Sequence, residues 1–261
     1  MDSWLDPVKT EISLNNGFVL LTIIATKGST PCTNGDKIVF TKNENSFGSI
    51  GGGNLEFKSL AFAKEMLGQK MNTRQLVKYP LGATLGQCCG GYVKVLFESF
   101  IEDDEDLSHN NSWIEQVSAL YKKGEDFILA TIIDIDKKNH SSTQKCIYTN
   151  NNFYSSIGNK KLSNFIEESA SNLMQSAQSP TIVEFEDDSE TKAQVLLEKV
   201  NSSEVLPVVV FGAGHISRAL MPIIINLPIK LYWIDDRQEQ FDQYVGDTYQ
   251  INIICDDFLT S

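Results

Sequence analysis

Hydrophobic and polar positions along the chain form strand-like and helix-like stretches in an order that occurs twice. Apolar runs rich in β-branched residues begin at Phe18 (FVLLTII) and again 109 residues later at Phe127 (FILATII). Trp4 and Trp113 have the same separation. Short apolar runs bounded by Gly, Asn and Pro are typical of β-strands. The pattern therefore predicts two homologous halves.

Each half shows the same succession of further elements: a second strand, an amphipathic helix and a third strand. They are predicted at Asp36–Asn43, Leu55–Leu67 and Tyr92–Glu98 in the first half, and at Gln144–Asn151, Leu162–Met174 and Thr181–Glu186 in the second. The prediction is one domain over residues 1–200, a duplicated ββαβ-like fold with halves at about 1–101 and 110–200. The charged and polar stretch between the halves is interpreted as a solvated linker.

The last part of the chain, residues 205–261, has a different pattern. A buried strand runs into a glycine turn at Pro207–Gly214, and two more strands are predicted at Ile229–Asp236 and Tyr249–Asp257. This order is typical of a mononucleotide-binding βαβαβ unit and predicts a partial, apparently incomplete Rossmann-like parallel sheet. Pro222 should end or kink the intervening helix. The predicted fold class of the whole chain is thus α/β and α+β.

The glycine turn of this segment predicts a nucleotide site. Gly212 would allow the tight turn, and Gly214 would let a phosphate approach the helix N-terminus. His215 is the next residue of the turn. Asp235 or Asp236 lies at the distance along the chain expected for an acceptor of a ribose hydroxyl.

Two glycine-rich segments, IGGGNLE at Ile50–Glu56 and LGQCCGG at Leu85–Gly91, indicate a site in the first half. Three consecutive glycines imply positive φ or a close approach by another group. The second segment places two adjacent thiols among glycines. The second half has NKK at Asn159–Lys161 in place of the triple glycine. The candidate cofactor-binding residues are Gly51, Gly52, Gly53, Glu56, Gln87, Cys88, Cys89, Gly90 and Gly91.

Structural interpretations of these segments stay open. Cys88 and Cys89 could be two small buried hydrophobic residues in a turn. The glycines at 51–53 could form a bulge or lead into a helix, and Glu56 would then only complement the helix dipole. Cys32 has no assigned role.

Charge and composition restrict the classes of partner. The net charge of −12 argues against nucleic acid or an anionic membrane surface, because phosphates would be repelled. No basic leader opens the chain and the apolar runs are too short to span a bilayer, so a cytoplasmic location is predicted. Five scattered cysteines do not form a disulfide framework, and the three histidines stand alone, so no conventional metal cage is expected.

Several motifs together resemble one known family. The segments Ala25–Phe40, Phe47–Ala63 and Leu76–Glu98 resemble the N-terminal domain of the XdhC/CoxI family, the xanthine dehydrogenase accessory factors. Val208–Leu220 and Trp233–Arg237 are similar to the dinucleotide-fold domain of the same family. The motifs occur in the order of the family and span most of the chain.

The resemblance implies a maturation factor, a chaperone that binds molybdenum cofactor (molybdopterin) and delivers its sulfurated form to a xanthine dehydrogenase-like enzyme. The glycine loop and Gln87–Cys89 would hold the cofactor, with Cys88 and Cys89 as molybdenum contacts. A cysteine desulfurase is a second candidate partner, and a nucleotide a candidate ligand of residues 205–261. The unpaired edge and uncovered face of the last sheet predict a homodimer.

Two other functions remain open at this point. The chain could be an NAD(P)-dependent oxidoreductase that uses the Rossmann-like segment. It could instead be a thiol redox sensor that uses Cys88 and Cys89. No Ser-His-Asp set, catalytic carboxylate pair or Walker lysine is evident in the sequence, which favours a binding protein over an enzyme.

Overall fold

The structure is a computed structural model that describes residues 4–69, 73–82, 90–101, 112–135, 145–176, 179–188, 191–201, 206–225, 227, 229–246, 248 and 251–256. The predicted linker between the halves, which covers 102–111, lies outside the described residues. The chain divides into two compact units, one of residues 2–202 and one that begins at residue 203. Each unit is described by itself.

Among its described residues, the first half of the larger unit contains two helices and five strands. They are α1 (Leu5–Ser13), β1 (Phe18–Lys27), β2 (Lys37–Thr41), β3 (Ser46–Gly48), α2 (Gly53–Gly68), β4 (Arg74–Pro80) and β5 (Tyr92–Phe100). The second half repeats them as α3 (Ser112–Lys123), β6 (Phe127–Ile135), β7 (Lys145–Tyr148), β8 (Phe153–Tyr154), α4 (Lys160–Met174), β9 (Thr181–Glu186) and β10 (Lys192–Val200).

The two halves have the same sheet topology. Each forms a five-stranded sheet, in the orders β3-β2-β1-β5-β4 and β8-β7-β6-β10-β9, with antiparallel pairing throughout. The predicted duplication and mixed fold class are confirmed. The predicted correspondence of the third strands is wrong, because Tyr92–Glu98 belongs to β5 and Thr181–Glu186 forms β9. The counterpart of β9 is β4, and that of β5 is β10.

The duplication extends to irregularities of the backbone. The β1–β5 register shifts between Ile23 and Ala25, so that Ile24 forms a bulge. The β6–β10 register shifts at the equivalent position, where Ile133 is the extra residue. A bulge bends and twists a strand locally, so both sheets are bent at the same point.

The two sheets face each other across a shared core. Phe18 and Leu20 of the first half pack with Phe127 and Leu129 of the second in one buried cluster. Trp4 and Trp113, the two equivalent tryptophans, stack in this cluster with ring centroids 6.4 Å apart. On the outer faces, α2 covers the first sheet and α4 covers the second, each over a core of its own half.

Two equivalent ion pairs cross between the facing sheets. Lys37 of β2 binds Glu198 of β10, and Lys145 of β7 binds Glu98 of β5. All four side chains are at least nine-tenths buried. A buried ion pair is tolerated when hydrogen bonds satisfy both groups, and losing one partner is costly because a charge remains uncompensated. The pairs therefore fix how the halves meet.

The smaller unit is a three-stranded parallel sheet in the order β11-β12-β13. Its elements are β11 (Leu206–Phe211), α5 (His215–Ile224), β12 (Ile229–Asp235), α6 (Gln238–Asp242) and β13 (Ile251–Cys255). This is the βαβαβ order predicted from the sequence. Pro222 lies inside α5, which continues to Ile224 rather than ending at the proline.

Candidate functional site

Three motifs of the first half meet at one end of its sheet. An added Cβ at Gly51 would lie 2.7 Å from the carbonyl oxygen of Pro31, and one at Gly28 would lie 3.0 Å from Cα of Gly91. The β1–β2 connection therefore packs against both the glycine loop and the end of the LGQCCGG segment. Gly28 and Pro31 were not among the predicted site residues, although they lie within the Ala25–Phe40 motif that carried the family resemblance.

The glycine loop has the unusual backbone that its sequence predicts. Gly51, Gly52 and Gly53 have φ values of +97°, +68° and +61°. At Gly51 a side chain is excluded twice, by the positive φ and by the contact with Pro31. At Gly52 no atom of the described residues lies within 4 Å of an added Cβ, so the space above this residue is open with respect to that part of the chain.

Glu56, in the first turn of α2, holds the glycine loop in place. Its Oε2 accepts hydrogen bonds from the hydroxyl of Ser49 (2.8 Å) and from the backbone N–H groups of Ile50 and Gly52 (both 3.1 Å). The Gly51 N–H donates to the Ser49 hydroxyl at 3.2 Å. Charge-assisted bonds to backbone N–H groups are among the stronger hydrogen bonds in proteins. Glu56 therefore acts on the loop itself and does more than complement the dipole of α2.

The second half has a different arrangement at the equivalent helix start. Asn159 is the N-cap of α4, with extended backbone (φ −77°), and its side chain accepts a hydrogen bond from the Leu162 N–H at 3.2 Å. An Asn cap satisfies one free donor of the helix N-terminus. The positive-φ loop is thus specific to the first half.

The strand connection that carries the two cysteines also distinguishes the halves. In the first half residues 81–91 join β4 to β5, whereas in the second half residues 187–191 join β9 to β10. The shorter connection is closed by a hydrogen bond from the Thr191 N–H to Asp187. Gln87, Cys88 and Cys89 lie outside the described residues. Of this segment the structure describes Gly90, which is exposed, and Gly91, whose carbonyl accepts from the Leu81 N–H at 2.9 Å.

Cys32 lies in the core beneath the site. Its side chain packs in the buried cluster of the first half, between the sheet and α2. Burial, and secondarily the carboxylate of Asp36, raises the pKa of the Cys32 thiol to about 11. The thiol is therefore protonated at neutral pH and is a poor nucleophile or metal ligand.

In the smaller unit, Asp235 braces the glycine turn. Its carboxylate accepts hydrogen bonds from the Ala213 N–H (2.6 Å), from the Arg237 N–H (2.9 Å) and from the Arg237 guanidinium (2.9 and 3.0 Å). These bonds hold the pKa of Asp235 well below its usual range, and the hydrogen bonds from the Arg237 guanidinium make the largest contribution. The acceptor sites of Asp235 are thus used within the protein.

The other predicted nucleotide-binding residues surround this turn. Gly212 has a φ of +88°, which permits the tight turn after β11, and Gly214 is the N-cap of α5. His215 and Asp236 are exposed. The Asp235 carboxylate is buried and bonded to Ala213 and Arg237, whereas the Asp236 carboxylate is exposed. Of these two carboxylates at the end of β12, Asp236 is therefore the one that a ligand can reach.

Comparison with known proteins agrees with the sequence resemblance. The XdhC and CoxI family model matches residues 13–80, which include β1, the glycine loop and α2. The resemblance predicted from the sequence is confirmed over these residues. No curated protein sequence matches the chain significantly.

A solved structure shares the fold. It is a crystal structure of a protein described as a xanthine dehydrogenase from Bacillus halodurans, with a TM-score of 0.59 and 16% sequence identity. The match covers 97% of this chain and 68% of that chain. At this identity the likeness shows the fold and does not transfer an activity.

The described residues contain neither a membrane-spanning helix nor a group of metal ligands. None of the helices is long and apolar enough to cross a membrane. Within the same described part of the chain, no three His, Cys, Asp or Glu side chains are grouped as metal ligands would be.

Proposed function

We propose that the protein binds molybdenum cofactor and delivers it in sulfurated form to a xanthine dehydrogenase-type enzyme. The match to the XdhC and CoxI family model supports a role associated with xanthine dehydrogenase, and so does the description of the structural neighbour. Binding and delivery of the cofactor is the more specific proposal for this chain.

The observation that carries the proposal is the meeting of three glycine-bearing segments in the first half. Gly28, Gly51 and Gly91 each lie where an added Cβ would come within about 3 Å of another segment. The scaffold is duplicated, yet the second half has an ordinary N-cap at Asn159 and only five residues, 187–191, between β9 and β10. Because the second half folds with an ordinary N-cap at this position, the fold itself does not require the glycine loop. Binding of a ligand best explains the loop in the first half.

The described residues fit such a cofactor in part. The open space above Gly52 would accommodate a group that approaches the backbone, and the N-terminus of α2 favours negative charge such as that of a phosphate. The N–H groups of Ile50 and Gly52 are already bonded to Glu56. Cys88 and Cys89, the soft ligands suited to molybdenum, precede the exposed Gly90 in sequence.

The experiment is anaerobic purification followed by metal and pterin analysis of the protein. Replacing both Cys88 and Cys89 with serine should lower cofactor retention while the fold survives, because serine is close in size but a harder ligand. Gly52→Val should also abolish retention, since it fills the open space at a positive φ. The matched control is Asn159→Ser, which keeps the cap of α4 and should retain cofactor. Full retention by the double serine variant would refute the proposal.

A nucleotide site in the smaller unit is a second candidate, favoured by the turn at Gly212 and the exposed Asp236. We infer that Asp236, rather than Asp235, would accept from a ribose hydroxyl. NAD titration of the wild type and of Asp236→Asn tests this, with weaker binding expected in the variant. Tight NAD binding without any molybdenum cofactor would instead favour an oxidoreductase.

Association through the smaller unit is also proposed. Four apolar side chains of this small unit are each more than 60% exposed: Phe211, Ile216, Ile223 and Val245. Exposed apolar surface of this kind is typical of protein interfaces. We propose a homodimer, with this unit in or near the interface. A stable monomer of the full chain in sedimentation at micromolar concentration would contradict it.

A cysteine desulfurase remains a candidate partner, and a pull-down experiment with such an enzyme tests this.

A further inference from the structure

One end of the first sheet is basic, although the chain as a whole has a net charge of −12. Lys78 of β4 lies directly opposite Lys94 of β5, and Lys27 of β1 lies directly opposite Tyr92 of β5. Residues that are directly opposite, or two apart on one strand, share a face of a sheet. The three lysines therefore lie around Tyr92 on one face, with Lys78 Nζ 4.0 Å from the centre of its ring. We call these four residues the basic face.

The lysines of the basic face have no carboxylate partner within the described part of the chain. None of the three forms an ion pair there. Like charges directly opposite each other in a sheet are destabilising, so the pairing of Lys78 with Lys94 costs stability. An acidic partner outside this chain would offset that cost.

The equivalent face of the second half has the opposite charge. When β4 is aligned with β9 and β5 with β10, the positions of Lys78 and Lys94 correspond to Glu184 and Gln194, which also lie directly opposite each other. Asp134 of β6 lies opposite Gln194 on its other side. We call the three carboxylates of this region the acidic face: Asp134, Glu184 and Glu186.

The acidic face lines an open cavity of ≈ 670 Å³. Lys192 Nζ pairs with Glu186 at 2.9 Å, but both side chains are exposed, and such pairs contribute little to stability. Asp134 Oδ1 is buried and accepts no hydrogen bond from the described residues, although Arg74 attracts this carboxylate through space. The described part of the cavity wall thus has three carboxylates and one ammonium, and the cavity is wide enough for long basic side chains.

We propose that the basic face docks on the acidic face of a second copy of this chain. The two faces have opposite charges, so the ammonium groups of Lys78 and Lys94 would meet the carboxylates beside Glu184 in the cavity of the other copy. Each copy has both faces, and two copies can therefore make this contact twice in a symmetric dimer. The contact belongs to the larger unit and is separate from the exposed apolar surface of the smaller unit.

Docking would place the second copy at the border of the candidate site. Lys27 precedes Gly28, and Tyr92 follows Gly91, and these two glycines pack against each other at the site. A copy bound to the basic face would therefore restrict access to the site from that side. The inference goes beyond the proposed function and does not depend on it, because both faces lie on the chain whether or not a cofactor is bound.

The test exchanges residues between equivalent positions of the two faces in the full chain. In the acidic variant, Lys78→Glu and Lys94→Gln give the first half the residues of the second. In the basic variant, Glu184→Lys and Gln194→Lys give the second half the residues of the first. The fold accommodates each set at the equivalent position, so both variants should fold. Self-association of each variant in sedimentation at about 0.01 M salt should weaken by about tenfold or more, because like charges then meet.

Mixing the two variants separates local charge complementarity from a general effect of net charge. An equimolar mixture should associate as the wild type does, since the acidic face of one variant can meet the basic face of the other. The variant with all four substitutions keeps the net charge of −12 and should also self-associate. The basic variant gains three positive charges and has a net charge of −9, so a general effect would make it associate better than the wild type. That result, or a mixture that stays apart, would overturn the proposal.

Carbodiimide cross-linking locates the contact, because this reagent joins a lysine amine to a carboxylate that touches it. In a mixture of isotopically labelled and unlabelled chains, cross-links between the two kinds of chain should join Lys78 or Lys94 to Glu184 or Glu186. These cross-links should disappear at about 1 M salt, which screens the charges, whereas an apolar contact through the smaller unit would persist. Wild-type chains that do not associate at about 0.01 M salt, or cross-links confined to single chains, would refute the proposal.

Discussion

Replacement of Gly51 by alanine should destabilise the larger unit far more than the same change at the neighbouring Gly52. Both glycines have positive φ, +97° and +68°. They differ in their surroundings. An added Cβ at Gly51 meets the Pro31 carbonyl oxygen at 2.7 Å and its carbonyl carbon at 2.8 Å, whereas an added Cβ at Gly52 meets no described residue within 4 Å. Comparing Gly51→Ala with Gly52→Ala therefore separates the cost of a positive φ from the cost of a steric clash.

The expected magnitudes follow from these two contributions. A left-handed backbone costs an alanine about 1–2 kcal/mol, partly offset by about 0.4–1 kcal/mol from the lower entropy of the unfolded chain. Gly52→Ala should thus cost about 1 kcal/mol. At Gly51 the contact is with backbone atoms that must shift, which adds about 1–3 kcal/mol for overpacking. Gly51→Ala should therefore cost about 2–4 kcal/mol in total.

Hydrogen exchange of the β1 amides measures the opening free energy of this unit without interference from the smaller one. Exchange in Gly51→Ala should be faster than in Gly52→Ala by a factor of about 10 or more, since 1.4 kcal/mol corresponds to tenfold. Equal exchange in the two variants would show that Pro31 does not press on the glycine loop, and the packing of the three motifs described above would be wrong.

Three further predictions concern single side chains. Iodoacetamide at pH 8 should label the exposed Cys255 and leave Cys32 unmodified, because burial raises the Cys32 pKa to about 11; mass spectrometry that finds both labelled would contradict this. Glu56→Gln should cost about 1–2 kcal/mol in the same exchange experiment, since it weakens the charge-assisted bonds to the loop N–H groups, and unchanged exchange would argue against this bracing. Because hydrogen bonds lower the pKa of Asp235 in the folded protein, the contribution of this carboxylate to stability is complete at neutral pH. The contribution is lost as the pH falls from about 3.9, the ordinary pKa of an Asp side chain, through the lower pKa of the folded state. A carboxyl NMR titration should find Asp235 ionised at pH 3, and protonation at the usual pH would show that its bonds to the turn are weak.

Much of the scaffold could be predicted because buried strands and helices have apolar residues at regular intervals in the sequence. The apolar runs at Phe18 and Phe127 and the tryptophans at 4 and 113 revealed the duplication, and the structure places the tryptophans against each other. The order of neighbouring strands could not be predicted in the same way. Tyr92–Glu98 and Thr181–Glu186 have similar patterns, but the pattern states only that a strand is partly buried and not which strand it pairs with.

The crossing ion pairs were missed because charged residues in strands usually face solvent. Lys37 and Glu198 instead lie between two sheets, a surface that becomes an interior only when the halves meet. A signal existed in the sequence: lysines and glutamates recur at equivalent positions of both halves, at 37 and 145 and at 98 and 198. Recognising it would have required the correct alignment of β5 with β10.

The candidate site could be located by sequence only in outline, since glycines report a special backbone without showing what they approach. The closeness of Gly51 to Pro31 and of Gly28 to Gly91 depends on where three connections end up in space. Glu56 was predicted to be a ligand-binding or dipole-favoured residue. Its bonds to Ile50 and Gly52 show that its first role is to hold the loop.

The duplicated scaffold explains why the distinctive features lie on connections of one half. The shared core, the two bulges and the crossing ion pairs use strands of both halves, so a change there disturbs the interface between them. Connections between strands, such as 28–36, can differ from their counterparts at little cost in packing. The glycine loop contacts the first connection, because Gly51 lies against Pro31. A ligand held at the glycine loop would therefore also act on connection 28–36, and its binding should alter hydrogen exchange at Gly51–Gly53.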